Sequence, residues 1–559
     1  MLYFTTENTI ADLFTTWNLI AYFLMSVINA VLLLLASYKF LQIMQQSGYE
    51  GIGYFKWLRR RDNVYLNRLA TVSMLSILGF LLTNIAFAFV DKAWIFYIGF
   101  IFYVVLLLNY FRADKKRKKK IPIVYTARMN RLIVTYFAFL FIISFALIVG
   151  LNVFAFYFSE NSLLVRIRLA PICLMPLFIP VFVLVGYYIT KPYELHVQKK
   201  YVNLCINRLK ERNDLIKIGI TGSYGKTSIK RFLTTILEEK YSVLATPSSY
   251  NTPMGICKTV KYLKSTHQVF IAEMGARRIG DIGKLAKIVE PDYAIISGIT
   301  NQHLETFGTL NAIKQTKYEL VESMSSGTVV YTVDNEETTE LFSDCKIKSI
   351  PAGLNLFLKP EVYAKNIAVD HDGTRFTLVV HSEEIECKTQ LLGRHNDSNL
   401  CISAAIAYEI GLSLPEISAG ISRVTPVEHR LSVTKNDRGI IIIDDSYNSN
   451  PVGFDAAMEV LNLFKGRKIV ITPGMVEMGF AEDMENYRLG KKLASSCDIA
   501  VLVGRIAALI IKSAMVENGF DPEKIIYANT LDAAMKKLNE IIKEGDVILF
   551  ENDLPDKFS

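Results

Sequence analysis

The 559-residue sequence lacks paired cysteines. Its seven cysteines, Cys173, Cys205, Cys257, Cys345, Cys387, Cys401 and Cys497, stand far apart, without CxxC spacing or a histidine cluster beside them. That argues against a zinc knuckle and a disulfide framework, and favours a reducing compartment for the soluble part. Charge is missing too from most of the chain up to Pro192, where Leu, Ile, Phe, Val and Tyr form long uncharged runs. Beyond it, charges alternate with short apolar runs in the manner of a soluble α/β enzyme. A mean hydropathy of +0.27 therefore averages two unlike parts. The net charge of +8 would suit a nucleic-acid partner, yet the densest basic runs, Arg59–Arg61 and Lys115–Lys120, border apolar segments. They read as membrane flanks, and no nucleic acid is expected.

What is present in the first part is a series of runs each long enough, at about 20 residues, to cross a hydrocarbon core. Five are expected, near Thr16–Leu41, Leu69–Val90, Ala93–Phe111, Leu132–Phe158 and Ala170–Thr190. The first has no basic region before it and no small-residue cleavage site after it, so it is not a signal peptide. Lys56, Arg59, Arg60, Arg61 and Arg68 follow span one, and "RADKKRKKK" follows span three. Lys and Arg concentrate in cytoplasmic loops. The N-terminus is then outside, and everything after the fifth span is inside the plasma membrane of a bacterium. The bilayer is the first expected partner, and the oligomeric state is left open.

After a short linking helix, 193–213, "LIKIGI" reads as a buried strand, and "KTSIKRFLTTILEEKY" has helical spacing. Between them lies "TGSYGKTS". Strand, glycine turn and helix form the context of a phosphate-binding loop. Gly222 and Gly225 let backbone N–H groups face phosphate oxygens, Lys226 reaches the terminal phosphates, and the Thr227 hydroxyl is a Mg²⁺ ligand. Thr221, Ser223 and Ser228 complete the loop. The GxxxxGK[ST] pattern is not fully met, because Ile220 stands at its first glycine.

The loop spacing resembles the Mur ligases, ATP-dependent amide-forming enzymes of peptidoglycan assembly. Further motifs follow in the family's order: "IAEMGARRIGDI" (271–282), "QHLETFG" (302–308), "GRHNDSNLCISAA" (393–405) and "IDDSYNSNP" (443–451), the last similar to the D-alanyl-D-alanine-adding branch. The resemblance implies ATP and Mg²⁺ as cofactors. It implies that Thr227 and Glu273 hold one Mg²⁺ and His303 a second, and that Lys317 carries a carbamate. It further implies that Asn396 and Asn399 touch adenine, that Arg430 and Asp445 reach the nucleotide from a C-terminal domain, and that Asn251 lies near the acceptor. Lys226, Glu273, His303 and Lys317 are the expected catalytic set. Taken singly, Glu273 reads as a salt-bridged residue, His303 as a cap and Lys317 as a surface lysine; their order in the motifs reverses those readings.

The expected architecture is an all-α membrane bundle (1–192), the linking helix, a central P-loop α/β domain (214–425) and a Rossmann-like α/β domain (426–559). The last shows apolar strands at "GIIIID", "KIVITP", "DIAVLVG" and "DVILFE". Several positions depart from the family pattern. His429 replaces a glycine, Thr252 and Pro253 replace branch residues, "TPGMVEMG" replaces a glycine-aspartate-methionine turn, and a closing lysine-glycine-serine segment is missing. No UDP-binding domain is visible, and the apolar block occupies its place. The expected activity is ATP-dependent joining of an acceptor carboxylate, on a lipid-linked or UDP-linked cell-envelope precursor, to an amino acid or dipeptide through an acyl phosphate. Alternatives are self-addition as in poly-γ-glutamate synthesis, an ATPase-driven transporter, and a nucleotide-binding scaffold. The transporter reading has no "LSGGQ" signature to support it, and few intramembrane charges.

Overall fold

A computed structural model describes residues 9–59, 63–86, 95–115, 122–158, 167–248, 250–300, 304–343, 345–370, 372–447, 450–476, 478–504 and 506–552. The chain divides into two compact units at Val197/Gln198.

The first unit is helical. Thr15 caps its first long helix, Thr16–Ala36, by accepting from Asn18 N. Ser37 then returns its hydroxyl to the Leu33 carbonyl at 2.7 Å, and a second helix, Tyr38–Gln46, begins. Among the described residues four helices are long and apolar enough to span a bilayer: Thr16–Ala36, Val64–Thr83, Ala127–Tyr157 and Ala170–Lys210. Five were expected. The run at Ala93–Phe111 begins outside the described residues and falls on the helix Ile95–Lys115, whose last turns carry Arg112, Asp114 and Lys115. The expected linking helix is no separate element, because the helix from Ile179 continues unbroken to Lys210.

Some of the polar side chains buried in this bundle are paired with one another. Asn29 donates to Ser144 Oγ at 3.0 Å and Met175 Sδ at 3.2 Å, and accepts from the Tyr103 hydroxyl at 2.8 Å. One amide thus joins three helices and a 3₁₀ turn. At one end of the bundle, the Gln45 amide exchanges two hydrogen bonds with the Val124 backbone, at 2.7 and 2.9 Å. Arg131 meets Glu194 there in a two-pronged pair at 2.5 and 3.0 Å. The last turn of the helix Tyr38–Gln46, the start of the helix Ala127–Tyr157 with the residues before it, and the middle of the helix Ile179–Lys210 therefore share a face.

The second unit contains two sheets. The larger is formed by β1 (Ile216–Thr221), β2 (Val243–Ala245), β3 (Val269–Glu273), β4 (Tyr293–Ile296), β5 (Thr328–Thr332), β6 (Lys348–Gly353), β7 (Val362–Asp370), β8 (Gly373–Val380) and β9 (Glu383–Thr389). Their order is β2-β3-β1-β4-β5-β6-β7-β8-β9, parallel through β7 and antiparallel beyond it. β1 is flanked by β3 and β4, so the loops leaving these three strands converge at one edge, where ligands bind in open α/β sheets. Helices 226–237, 394–410 and 414–423 cover one face. Helices 253–260, 281–289 and 310–322 cover the other, together with Cys205 and Leu209. The smaller sheet runs β10-β11-β15-β12-β13-β14, from β10 (Ser432–Lys435) and β11 (Ile441–Asp445) through β12 (Lys468–Thr472), β13 (Ile499–Val503), β14 (Ile525–Ala528) and β15 (Val547–Glu551).

Removing the Asn29 amide leaves the Tyr103 and Ser144 hydroxyls without that partner. Asn29→Ala is expected to destabilise the detergent-solubilised protein by about 1 kcal/mol, read as a lowered thermal midpoint, while leaving nucleotide binding intact. An unchanged midpoint would mean that the amide does not hold the bundle together.

Candidate nucleotide and metal site

β1 ends at Thr221, whose hydroxyl donates to the Met274 carbonyl at 3.1 Å. The loop that follows needs its glycines for two reasons. Gly222 and Gly225 have φ of +151° and +78°, and a Cβ on Gly222 would stand 2.0 Å from Ser297 Oγ. A Cβ on Gly225 would stand 3.0 Å from Asn399 Oδ1, which puts that asparagine against the loop. Ser223 fixes the loop to the end of β4, donating its N–H to Gly298 O at 2.6 Å and sharing its hydroxyl with the Thr300 backbone.

Lys226 opens the helix Lys226–Leu237 and turns its ammonium back into the loop, donating to Gly222 O at 2.6 Å and Ser223 O at 3.2 Å. Burial lowers it to about 8, against the pull of Glu273. Ser228 is buried behind it.

Glu273, at the end of β3, is the hub, with only 1% of its surface exposed. Its Oε2 accepts from Thr227 Oγ1 at 3.0 Å and from Lys230 Nζ at 2.8 Å, and its Oε1 from Asn251 Nδ2 at 3.1 Å. Burial would raise the carboxyl, but Lys230, Lys226 and these hydrogen bonds outweigh it and hold Glu273 below the usual range. It is therefore an ionised carboxylate next to an alcohol, the hard oxygen pair that Mg²⁺ prefers. Asn251 is held in turn by the strand end, since Gly275 N donates to its carbonyl at 2.9 Å and a Cβ on Gly275 would collide with its amide.

Lys230 escaped the sequence reading. It sits four residues after Lys226 on one helix face, so the spacing alone could have shown that both ammonium groups reach the same place. Its Nζ also donates to Ser248 O, and burial lowers it.

Of the other expected residues, Lys317 is buried in the helix Leu310–Glu322 and lies within electrostatic reach of Lys226. Burial and then Lys226 bring it down to about 7. His303 lies outside the described residues. Asn396 and Asn399 are both buried on the helix Arg394–Ile410, Asn396 donating to Leu392 O at 2.8 Å. Between them Asp397 is fully buried with both oxygens unpaired, and desolvation pushes it up to about 7.

From the second sheet, Arg430 donates to Thr227 Oγ1 at 3.3 Å and stacks 4.4 Å from the Tyr447 ring centroid. The replaced glycine has a physical answer. His429 adopts φ of +61°, and its Nδ1 lies 2.7 Å from Asp444 Oδ2, which anchors the strained turn. Asp445 accepts from Leu431 N at 3.2 Å, and burial raises it to about 7 despite Arg430. Asn450 caps the helix starting at Pro451.

A P-loop lysine, a metal-ready carboxylate–alcohol pair and an arginine from a second α/β sheet on the same hydroxyl define a nucleotide-dependent group-transfer enzyme. The comparisons say which kind. Residues 220–407 match the Mur ligase middle domain and 429–551 the Mur ligase glutamate ligase domain. The chain is 30% identical over 356 residues to the UDP-N-acetylmuramoyl-tripeptide--D-alanyl-D-alanine ligase of Mycobacterium tuberculosis, covering 59% of this chain and 69% of that one. It is 25% identical over 337 residues to the Bacillus subtilis enzyme of the same name, covering 60% and 72%. MurF of Acinetobacter baumannii superposes with a TM-score of 0.58 at 26% identity, covering 64% and 77%. The chain belongs to the Mur ligase family, the ATP-dependent ligases that form amide C–N bonds.

Asp397 gives a test of the folded site. A carboxyl near 7 when folded and near 3.8 when unfolded keeps its proton in the folded state alone between those values. Stability falls as pH rises through that window and stays low above it. Asp397→Asn should match the parent at pH 4 and melt about 5 °C higher at pH 8. Equal midpoints at pH 8 would show that the carboxylate is solvated.

Proposed function

We propose that this chain is a membrane-embedded ligase of cell-envelope synthesis, with its catalytic unit cytoplasmic, that joins an amino acid or dipeptide to the carboxylate of a lipid-linked precursor. The observation that carries the ligase reading is the convergence of Lys226, Thr227, Glu273 and Arg430, drawn from both sheets of the second unit. The membrane reading, and with it the lipid-linked acceptor, is supported by the four apolar helices; the relatives' names support a cell-envelope peptide acceptor and a dipeptide amine, with that acceptor UDP-linked.

In this reading the catalytic unit comprises a central domain, 214–425, and a C-terminal domain, 426–559, with Thr221 to Ser228 wrapping the ATP phosphates. Lys226 leaves its loop carbonyls for the terminal phosphate, and Asn396 and Asn399 take the adenine. Thr227 and Glu273 hold Mg²⁺, His303 a second one. When bound, Mg²⁺ offsets the charge of the transferring phosphoryl group. The acceptor carboxylate oxygen, placed near Asn251, attacks the γ-phosphorus and ADP leaves. The amine nitrogen then attacks the acyl carbon, phosphate departs, and the amine gives up its proton. Arg430, held over Tyr447, and the buried Asp445 bring the second domain onto the nucleotide, so closure assembles the site. Lys317, brought down to about 7 by burial and Lys226, is chemically ready to take up CO₂ as a carbamate.

The deciding assay is phosphate release by the purified full chain, with amino acids and D-alanyl-D-alanine offered against lipid-linked and UDP-linked acceptors. Release that needs both a lipid-linked carboxylate and an amine, and falls at least 10³-fold in Lys226→Ala, is expected. Dependence on a UDP-linked acceptor would make the helices a passive anchor. Substrate-independent release would favour a transporter or scaffold, and product that re-enters as acceptor a polymerising ligase. At fixed bicarbonate, activity should rise with pH through about 7 as Lys317 loses its proton, and Lys317→Ala should abolish that rise. A rise that survives in Lys317→Ala would assign it to another group.

A further inference from the structure

The shared face of the helical bundle carries an unbalanced group of cations. Glu194 is buried, its side chain 7% exposed, and it is already neutralised by the two-pronged pair with Arg131. Arg128 stands one turn away on the same helix, its Nε 4.0 Å from Glu194 Oε2 and its side chain 29% exposed. Its five N–H donors make no hydrogen bond among the described residues. The guanidinium lies over Tyr49, its Cζ 3.9 Å from the ring centroid.

Three physical features set this arrangement apart from a solvated surface arginine. Arg128 lies in the first turn of the helix Ala127–Tyr157, where the helix dipole disfavours a cation. Tyr49 holds its ring there at φ of +60°, a conformation costly for a bulky residue. Lys191 adds a further charge one turn before Glu194, over the Tyr187 and Tyr188 rings. Two arginines and a lysine against one carboxylate, on a face rimmed by exposed Tyr188 and Tyr193, give a cationic, aromatic-edged seat. A planar fork with free donors matches phosphate oxygens two at a time.

We propose that Arg128, with Arg131 and Lys191 beside it, binds the phosphate or diphosphate of a lipid at the bilayer surface. The inference rests on the membrane reading above, and it deepens that reading by naming the group recognised on the acceptor side. Two sources share the chemistry: a phospholipid headgroup, and a polyprenyl diphosphate carrying the precursor. A phosphate held here would supply the missing acceptors to Arg128 and offset the excess charge.

The test is native mass spectrometry of the full chain in detergent, titrated separately with farnesyl diphosphate, phosphatidylglycerol and inorganic pyrophosphate. The expected result is a lipid-phosphate adduct on the parent protein that falls about tenfold in Arg128→Leu, a loss of about 1.4 kcal/mol. Arg128→Lys keeps the charge and loses the fork, and should fall in between; its thermal midpoint and ATP binding should match the parent. A preference for farnesyl diphosphate over phosphatidylglycerol assigns the seat to the acceptor, and equal binding assigns it to bulk headgroups. Adducts of equal yield in parent and Arg128→Leu overturn the proposal, as does binding of inorganic pyrophosphate alone. Alkaline carbonate extraction of the same membranes separates the two failures. Protein that stays in the pellet without Arg128-dependent adducts defeats the seat alone, whereas protein released to the supernatant defeats the membrane reading.

Discussion

The catalytic unit is organised around one buried carboxylate. An ionised Glu273 with 1% of its surface exposed is tolerable only because Lys230, Thr227 and Asn251 each donate to it. Those donors come from the P-loop helix and from the loop after β2, while the carboxylate itself ends β3. One charge therefore fixes three elements against each other. The parallel register of β1 with β3 sets this up, since Ile220 lies opposite Glu273 and the phosphate loop departs beside the carboxylate. Thr227 belongs to two contacts at once, giving its proton to Glu273 and accepting from Arg430. The second sheet is thereby sensitive to whatever happens at the first.

Much of this was legible in the sequence because glycine and charge placement leave marks there. The loop glycines and the spacing of Lys226 and Thr227 locate the phosphate site, and the apolar strands of the second sheet, β11, β12, β13 and β15, fall where their runs predict. The rest depended on tertiary contact. Lys230 looks like any polar residue on an amphipathic helix until the fold brings Glu273 to it. Asp397 occupies an interior position that periodicity assigns to an apolar residue. The positive φ of His429 becomes intelligible through Asp444, fifteen residues away in the chain. In the membrane part hydropathy found the runs, four of them on helices long and apolar enough to span a bilayer among the described residues, while the run at Ala93–Phe111 begins outside those residues. The Arg131–Glu194 pair is invisible to hydropathy altogether.

Electrostatics also orders the events that the site can support. Lys226, Lys230 and Lys317 are all lowered, burial being the leading cause for each. Lys226 depresses Lys317, and Arg430 depresses both Lys226 and Lys230. Glu273 is the one carboxylate here held below its ordinary range, because Asp445 is raised to about 7. The site without nucleotide is thus short of negative charge, and a triphosphate supplies it. Its arrival reverses the balance, raising each lysine towards its ordinary value. For Lys226 that is useful, since a full ammonium belongs on the terminal phosphate. For Lys317 it works the other way, because only the neutral amine adds CO₂. A carbamate on Lys317, as proposed above, would therefore form before ATP enters, when Lys226 still disfavours a proton on Lys317, and its anion would then be one more partner for the cations around the nucleotide.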